Sequence, residues 1–275
     1  MVSQMAPAGV STGRRTTGPM PWRPWLLRLR PLTGFVLVVV LWEGAARSGL
    51  VAPVFLPPVP AVLAALWQGA ADGSLVADAG TSLMRATCGL ALAVVAGVPL
   101  GIAMARIGAL HWCLDPLVAL GFPAPKIAFI PMFVLWFGID SISKVLLVAF
   151  ACVFPLVIAA CDAASAVNRL IVWSALAMGT SPARLMLKVM LPSCLPRIFA
   201  ALRVAVPVAL INTFVAEMVA GGGGMGDTLM YAQRFFETPT VFAAIIVMLV
   251  MGLVADRMIL LAQRRLLTWD DEAAP

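Results

Sequence analysis

Two ionisable residues stand inside long apolar stretches, where their types and neighbours suggest a route for a polar solute. Lys126 lies between Pro125 and Pro131 in a run that the prolines must interrupt, and Glu217 lies near the end of another run. Ionisable groups at membrane depth are costly and usually face a cavity or a partner. We therefore predict that these four residues border a translocation pathway. The alternative is that each charge snorkels or pairs inside the protein.

A second candidate for chemistry is the segment Gly224–Met225–Gly226–Asp227, whose GxGD spacing resembles the catalytic loop of intramembrane aspartyl proteases. That reaction needs two carboxylates that share a proton and activate water. The other aspartates beside apolar runs, Asp162 and Asp256, are expected at the opposite membrane face. A simpler interpretation is that the glycines end one helix and Asp227 caps the next.

Composition argues against most other enzymatic sites. The chain has one histidine, His111, so a zinc site of the HExxH type cannot form. No GK[ST] sequence follows the glycine cluster, so we expect no ATPase activity in this chain. The five cysteines show no CxxC spacing and are interpreted as packing residues. We therefore expect this chain to bind no metal or cofactor of its own.

The overall composition is that of an integral membrane protein. Hydrophobic residues make up 62% of the chain, charged residues only 12%, and the mean hydropathy is +1.00. The net charge of +6 could indicate nucleic acid in a soluble protein. Here the basic residues flank apolar runs, so lipid headgroups are the better explanation and no nucleic-acid partner is expected.

The predicted fold is an all-α bundle with six transmembrane spans. A bilayer core of about 30 Å requires about 20 helical residues, and each span is assigned to an apolar run. The transmembrane domain is predicted to cover residues 31–265, with spans at 32–47, 83–105, 114–137, 145–160, 198–219 and 241–261. Residues 1–30 are predicted to form a disordered basic tail, and residues 266–275 a second tail.

The distribution of basic residues predicts the orientation. Most basic residues fall on the side of both termini: Arg14, Arg15, Arg23, Arg28, Arg30, Arg106, Arg169, Arg184, Arg197, Arg257, Arg264 and Arg265, together with Lys188. Arg47, Lys144 and Arg234 fall on the other side. The positive-inside rule then makes both termini cytoplasmic.

The charged stretch 168–192 between the fourth and fifth spans is predicted to form a helix, a tight break and a second helix. Gly179 can adopt the positive φ that ends a helix, Ser181 can cap the next helix, and Pro182 suits its first turn. Arg184 and Lys188 lie one turn apart on one face. We call this stretch the elbow, and its position predicts that it is cytoplasmic.

The elbow resembles the conserved cytoplasmic motif of permease subunits of bacterial ABC importers. In that motif Glu-Ala-Ala precedes a glycine and then Ile-x-Leu-Pro. Gly179 matches the glycine, Val189 takes the place of the isoleucine, and Leu191–Pro192 close the pattern. The opening triplet is Trp173–Ser174–Ala175, so Trp173 replaces the acidic residue of the family.

Further segments resemble the permeases for taurine, aliphatic sulfonates and nitrate. They are Trp42–Glu43, Phe55–Leu56–Pro57, Ala61–Val62–Leu63, Pro125–Pro131, Leu135–Gly138, Ser143–Lys144, Ala216–Glu217 and Gly224–Gly226. The resemblance extends from about Leu41 to Trp269. It implies a small nutrient as substrate, for which an anion of this kind is the expectation.

The resemblance also implies the partners and the site. The permease would form a homodimeric pore in the bacterial inner membrane, with two ATPase subunits that use ATP and magnesium and with an extracytoplasmic solute-binding protein. The ATPase-coupling residues implied by the motif are Trp173, Ser174, Ala175, Gly179, Thr180, Ser181, Pro182, Arg184, Val189, Leu191 and Pro192. A secondary transporter without an ATPase remains the main alternative, although few acidic residues lie at mid-membrane depth.

Overall fold

The computed structural model describes the backbone of residues 24–267 and the side chains of residues 33–267 except Pro182 and Ala183. The described chain is helical, with no strand among these residues. This agrees with the all-α fold predicted from the apolar runs. The remaining terminal residues, which include most of both predicted tails, lie outside the described part of the chain.

Eleven α-helices follow one another within residues 24–267. They are α1 Pro24–Arg47, α2 Val59–Ala71, α3 Ser74–Arg106, α4 Gly108–Gly121, α5 Ile130–Phe137, α6 Ser141–Ser165, α7 Arg169–Ala177, α8 Pro182–Leu185, α9 Leu191–Ala220, α10 Met225–Arg234 and α11 Thr238–Leu266. A 3-10 turn, Lys126–Phe129, precedes α5, and a π-helical turn, Met186–Met190, joins α8 to α9.

The chain divides into two compact units between Val51 and Ala52. Within the described residues the first unit is the single helix α1, which covers the predicted span 32–47. α1 begins at Pro24, so the last residues assigned to the basic tail, Pro24–Arg30, are helical rather than disordered. Proline is suited to the first turn of a helix, where its missing N–H has no partner to lose.

Four helices of the second unit are long and apolar enough to cross a membrane: α3, α6, the continuous helix Met186–Ala220, and α11. A fifth span results if α4 and the helical segment Lys126–Phe137, which meet at an angle of 94°, count as one. The structure therefore shows a multi-span helical protein, and the total of six spans stays a prediction.

The helix α3 is longer than the predicted span 83–105. It begins at Ser74, because Asp72 accepts hydrogen bonds from the Ser74 amide at 2.9 Å and from its hydroxyl at 2.7 Å. These bonds lower the pKa of the Asp72 carboxyl, which lies in the loop before the span. The polar residues in the first turns of α3 thus belong to the helix, although they precede the apolar run.

The core of the second unit is the packing of α3 against α6, with α9 completing it. Gly89, Gly97 and Gly101 lie on the face of α3 that meets α6, as their helical spacing predicts for close approach. A Cβ on Gly89 would lie 2.6 Å from the Cβ of Val148, and one on Gly101 would overlap the carbonyl oxygen of Val157. Absence of side chains at these positions lets the two backbones touch.

Gly101→Ala is expected to destabilise the protein by roughly 1–3 kcal/mol, since the added methyl group overlaps the backbone of α6. Gly80 provides a matched control in the same helix, because a Cβ there meets nothing within 4 Å. Gly80→Ala is expected to be neutral or to stabilise by about 0.5–1 kcal/mol. Thermal unfolding of the purified variants in detergent measures both effects, and equal midpoints would contradict the close approach of α3 and α6.

Candidate coupling elbow and membrane pathway

The elbow has the helix–break–helix structure predicted from its sequence. Its first helix, α7, begins where the Asn168 side chain accepts a hydrogen bond from the Leu170 amide at 2.9 Å. It ends at Ala177, and Gly179, two residues further on, has a φ of +79°. The Gly179 amide donates to the Leu176 carbonyl at 2.9 Å and the Thr180 amide to the Ala175 carbonyl at 3.1 Å. This is the Schellman arrangement, which favours glycine at the left-handed position.

The second half of the elbow is continuous with a membrane span. α8, the π-helical turn and α9 follow without a gap, so one helix extends from Pro182 to Ala220. The sequence analysis ends the elbow at residue 192 and places the next span at 198–219, and in the structure no break separates the two. Proline in a regular α-helix clashes with the carbonyl four residues earlier. The π-helical turn, in which the Leu191 amide donates to the Met186 carbonyl, widens the helix just before Pro192.

A buried apolar cluster fixes the elbow to the bundle. Val172 of α7 and Met190 of the π-helical turn are 7% and 1% exposed and pack with residues of α3, α6 and α9. Those partners are Val98, Ile102, Ala160, Ala163, Ala164, Cys194 and Ile198. Polar contacts reinforce the cluster, because Arg106 at the end of α3 lies 2.7 Å from the Met190 sulfur and 3.5 Å from the Ala164 carbonyl oxygen.

The elbow also presents an exposed face. Trp173 is 60% exposed, and Ser174, Gly179, Ser181 and Arg184 are exposed as well. Further apolar side chains that the sequence motif does not single out are exposed on the elbow: Leu170, Ile171, Leu176, Met178 and Leu187.

Not every residue of the predicted coupling set belongs to this face. Ala175 is only 6% exposed, so it packs within the protein. Thr180, Val189, Leu191 and Pro192 are partly buried. The backbone of Pro182 begins α8, as the sequence predicted.

The region around Lys126 is the predicted broken helix. α4 ends at Gly121, and the chain turns by 94° before α5. The Lys126 ammonium donates to the Gly121 carbonyl at 2.7 Å and also to the Phe122 carbonyl. It lies 5.2 Å from the centroid of the Phe154 ring, in the middle of α6. Lys126 therefore stabilises the carboxyl end of α4 at membrane depth, and its role in a pathway stays a prediction.

The prolines around Lys126 account for the shape of the break. Pro125 has an extended backbone, with φ −72° and ψ 95°, immediately before the 3-10 turn. Pro131 occupies the first turn of α5, where a helix does not need its N–H.

Glu217 forms a buried ion pair with Arg85, so its charge is paired inside the protein, and its role in a pathway stays a prediction. The two side chains are 0% and 3% exposed, and the Arg85 Nη1 lies 2.8 Å from the Glu217 Oε1. Sequence reasoning missed Arg85. Asp78, Ser82 and Arg85 lie one helical turn apart on α3, and this polar stripe was the available signal.

Arg85 joins four parts of the chain. Besides Glu217 of α9, its guanidinium donates to Ser141 of α6 at 3.0 Å and to the carbonyls of Gly222 and Gly223 at 2.7 and 2.6 Å. We call this cluster the Arg85 junction. It lies at the end of the bundle opposite the elbow, which we call the far end, because it connects the start of α3 and α6 with the end of α9.

The glycine loop 221–224 is folded around the Arg85 junction. All four glycines have positive φ, between 67° and 99°. Four successive backbone amides, those of residues 223–226, donate to side chains of α3, α9 and α10. The Gly223 amide donates to Asp227, the Gly224 amide to Asp78, the Met225 amide to Ser82 and the Gly226 amide to Glu217. The GxGD sequence therefore serves as a helix connection, and the Asp227 carboxylate caps its own loop.

Further polar side chains are buried in the spans, among them Lys144 and Asn212. Lys144 of α6 is 1% exposed and donates to the Ile139 carbonyl at 2.7 Å, although the sequence placed it in an outer loop. The Asn212 side chain of α9 donates to the Val208 carbonyl at 2.8 Å. Its amide oxygen is the only buried side-chain nitrogen or oxygen without a hydrogen-bond partner in the described part of the chain.

The described residues do not form a metal site. No group of three or more histidine, cysteine or acidic side chains among them could hold an ion.

Arg85→Met is expected to destabilise the protein by about 3–5 kcal/mol, because Glu217 keeps its buried charge without a partner. The double variant Arg85→Met/Glu217→Met removes both charges and is expected to be less damaged than Arg85→Met alone. Thermal unfolding of the purified proteins in one detergent compares them. A double variant as unstable as the sum of the two single variants would contradict the pairing.

Comparisons with known proteins agree with this architecture. Residues 97–268 match the family model of the binding-protein-dependent transport system inner membrane component. The chain is 34% identical to the taurine transport system permease protein TauC of Escherichia coli, over 92% of this chain and 94% of that protein. It is 29% identical to the putative aliphatic sulfonates transport permease protein SsuC of Bacillus subtilis, over 85% of this chain and 84% of that protein.

Among solved structures, the chain resembles one chain of the MetNI methionine ABC transporter in an inward-facing conformation. The TM-score is 0.55 at 17% identity, covering 68% of this chain and 94% of that one, so this likeness shows the fold alone. The family match covers more than half of the chain and includes the elbow, α9, the glycine loop and α11. The chain is a non-enzymatic, multi-pass inner-membrane permease and belongs to the family of binding-protein-dependent transport system inner membrane components.

Proposed function

We propose that this chain is the membrane-spanning subunit of an ATP-driven importer for taurine or a related sulfonate. Two copies form the pore, two ATPase subunits bind ATP and magnesium on the elbow side, and a solute-binding protein delivers the substrate at the far end. This arrangement makes the elbow and both termini cytoplasmic. The observation that carries the proposal is the rigid connection of an exposed elbow to a membrane span.

The substrate class rests on the relatives. TauC is named for taurine, and SsuC proteins of two bacteria, at 29% and 32% identity, are named for aliphatic sulfonates. A further relative at 29% identity is named for formylaminopyrimidine, so the family likeness alone does not select the solute. The relative with the highest of these identities supports taurine, a small zwitterion with a sulfonate group, over nitrate.

Coupling follows from the continuity of the helix Pro182–Ala220. A displacement of α8 by the ATPase moves α9 as one body, because no loop intervenes to absorb it. The cluster around Val172 and Met190 transmits the same displacement to α3 and α6. ATP-driven approach of the two elbows thereby turns the pore from inward-facing to outward-facing, and hydrolysis resets it.

Trp173 provides the main contact with the ATPase. Tryptophan is enriched at the energetic centres of protein interfaces, where a large ring fills an apolar pocket. Trp173 stands where the family has an acidic residue, so contact through apolar packing replaces a charged contact. The neighbouring exposed side chains Leu170, Ile171 and Met178 extend the apolar surface.

The pathway lies along the broken helix between α4 and α5. The 94° break places a 3-10 turn and a lysine at the depth of the middle of α6. Irregular backbone at this depth is stable only where protein or a water-filled cavity covers it. Lys126 supplies positive charge that favours the anionic group of a solute. Pro125 and Pro131 prevent α4 and α5 from joining into one continuous helix.

Trp173→Ala is expected to weaken binding of the ATPase by about 30-fold, which corresponds to a loss of about 2 kcal/mol. Trp67→Ala is the matched control, because Trp67 is 76% exposed and lies on α2, away from the elbow. Binding of the purified ATPase to the permease in nanodiscs measures both affinities. The contact fails as proposed if the two variants bind the ATPase equally well.

Proteoliposomes that contain the permease and its ATPase are expected to accumulate taurine only when ATP and magnesium are inside the vesicles and the solute-binding protein is outside. Ethanesulfonate is expected to compete with taurine for uptake, whereas methionine is expected not to compete. Uptake driven by an ion gradient without the ATPase would indicate a secondary transporter and contradict the proposal.

A further inference from the structure

Several aromatic side chains are exposed together at the far end of the bundle. Tyr231, Phe235 and Phe236 are 60%, 61% and 75% exposed, and the rings of Tyr231 and Phe235 lie 4.6 Å apart. Residues 52–60, which lead into the first turn of α2, form a segment with four prolines. The hydroxyl of Thr238 donates to the Val54 carbonyl and thereby holds this segment next to the start of α11. Phe55 of that segment is 74% exposed. We call Phe55, Tyr231, Phe235 and Phe236 the aromatic surface.

Phe236 has a strained backbone. Its φ is +58°, and it is the only residue other than glycine with a positive φ in the described part of the chain. The Phe236 amide donates to the Gln233 carbonyl at 3.2 Å and the Glu237 amide to the Ala232 carbonyl at 2.9 Å. This is the same helix end that Gly179 forms in the elbow. Glycine forms it without a steric penalty, whereas a side chain with a Cβ does not.

The Phe236 ring does not offset the backbone strain through burial, because it is 75% exposed. The two hydrogen bonds of the helix end hold the left-handed conformation in place. A costly conformation that the surrounding structure maintains at an exposed position points to a functional constraint. The left-handed backbone has one clear effect here, which is to hold the ring at a fixed position at the end of α10. A preformed contact of this kind binds with less loss of conformational entropy.

The surroundings of the aromatic surface are those of a protein interface. Gln233, Arg234 and Glu237 are exposed beside the rings. An aromatic centre with a polar rim and an arginine is typical of protein–protein contacts. A lipid surface also attracts aromatic rings, but it requires no particular backbone conformation. The observations therefore favour a protein partner.

The position of the aromatic surface selects the partner. It lies on α10 and the start of α11, beyond the glycine loop and therefore opposite the elbow. The family to which the chain belongs depends on a binding protein. We propose that the aromatic surface docks the solute-binding protein, with the Phe236 ring entering an apolar pocket on it; this rests on the proposed function.

The test uses the complete assembly of permease and ATPase in nanodiscs, with the fluorescently labelled cognate solute-binding protein as the probe. Phe236→Gly is expected to weaken binding of the probe at least 10-fold and, because glycine relieves the backbone strain, to leave the thermal midpoint equal or higher. The double variant Tyr231→Ala/Phe235→Ala is also expected to weaken binding at least 10-fold. Trp112→Ala is the control, because Trp112 is an exposed aromatic residue on α4, away from the far end, and it is expected to change binding less than 2-fold.

Unchanged binding of the probe to Phe236→Gly and to the double variant overturns the inference and leaves the proposed function intact. A fall in thermal midpoint with unchanged binding also overturns it and assigns the aromatic surface to lipid or internal packing. If the unmodified assembly does not bind the probe at all, the proposed function fails and the inference fails with it.

Discussion

The ion pair between Arg85 and Glu217 is the interaction on which the far end of the bundle depends. Two opposite charges are buried there, and each also binds neutral groups, so neither is left without a partner. Buried ion pairs contribute little net stability over apolar packing, yet they define one arrangement of the groups around them. Here that arrangement fixes the end of α9, the glycine loop and the starts of α3 and α6. A Cβ on Gly224 would overlap the Glu217 carboxylate, so the pair also requires glycine in the loop.

The two ends of the bundle are held by different forces. At the elbow end an apolar cluster around Met190 joins α3, α6, α7 and α9. Between the ends, glycines of α3 allow its backbone to touch α6. The Arg85 junction is held by directional hydrogen bonds and an ion pair, whereas the elbow end and the middle of the bundle are held by apolar packing and close backbone contact.

The features that could be predicted from the sequence depend on neighbouring residues. Gly179 ends α7 with a positive φ, and the prolines around Lys126 break the helix, because both effects act within one or two turns. The apolar runs likewise predicted an all-helical membrane protein. The protein family could also be predicted, because its motifs occur in order along most of the chain.

Features that depend on distant contacts could not be predicted in this way. Arg85 and Glu217 are 132 residues apart in sequence, so nothing local distinguishes a pair from two pathway residues. The Lys144 side chain is buried although its loop-like neighbours suggest exposure. The π-helical turn before Pro192 was not predicted either, because its sequence does not differ from that of an ordinary helical turn.

The π-helical turn has a consequence for how this family member can diverge. A π-helical turn holds one residue more than an α-helical turn of the same rise, so the number of residues there sets the direction in which α8 points around the axis of α9. Replacement of one elbow side chain by another, such as Trp173 for an acid, alters the chemistry of the contact but leaves that direction unchanged. Insertion or deletion of a single residue rotates the whole elbow by about 100°. In the proposed assembly the elbow can therefore change in composition without changing the direction in which it meets the ATPase, whereas a change in its length alters that direction.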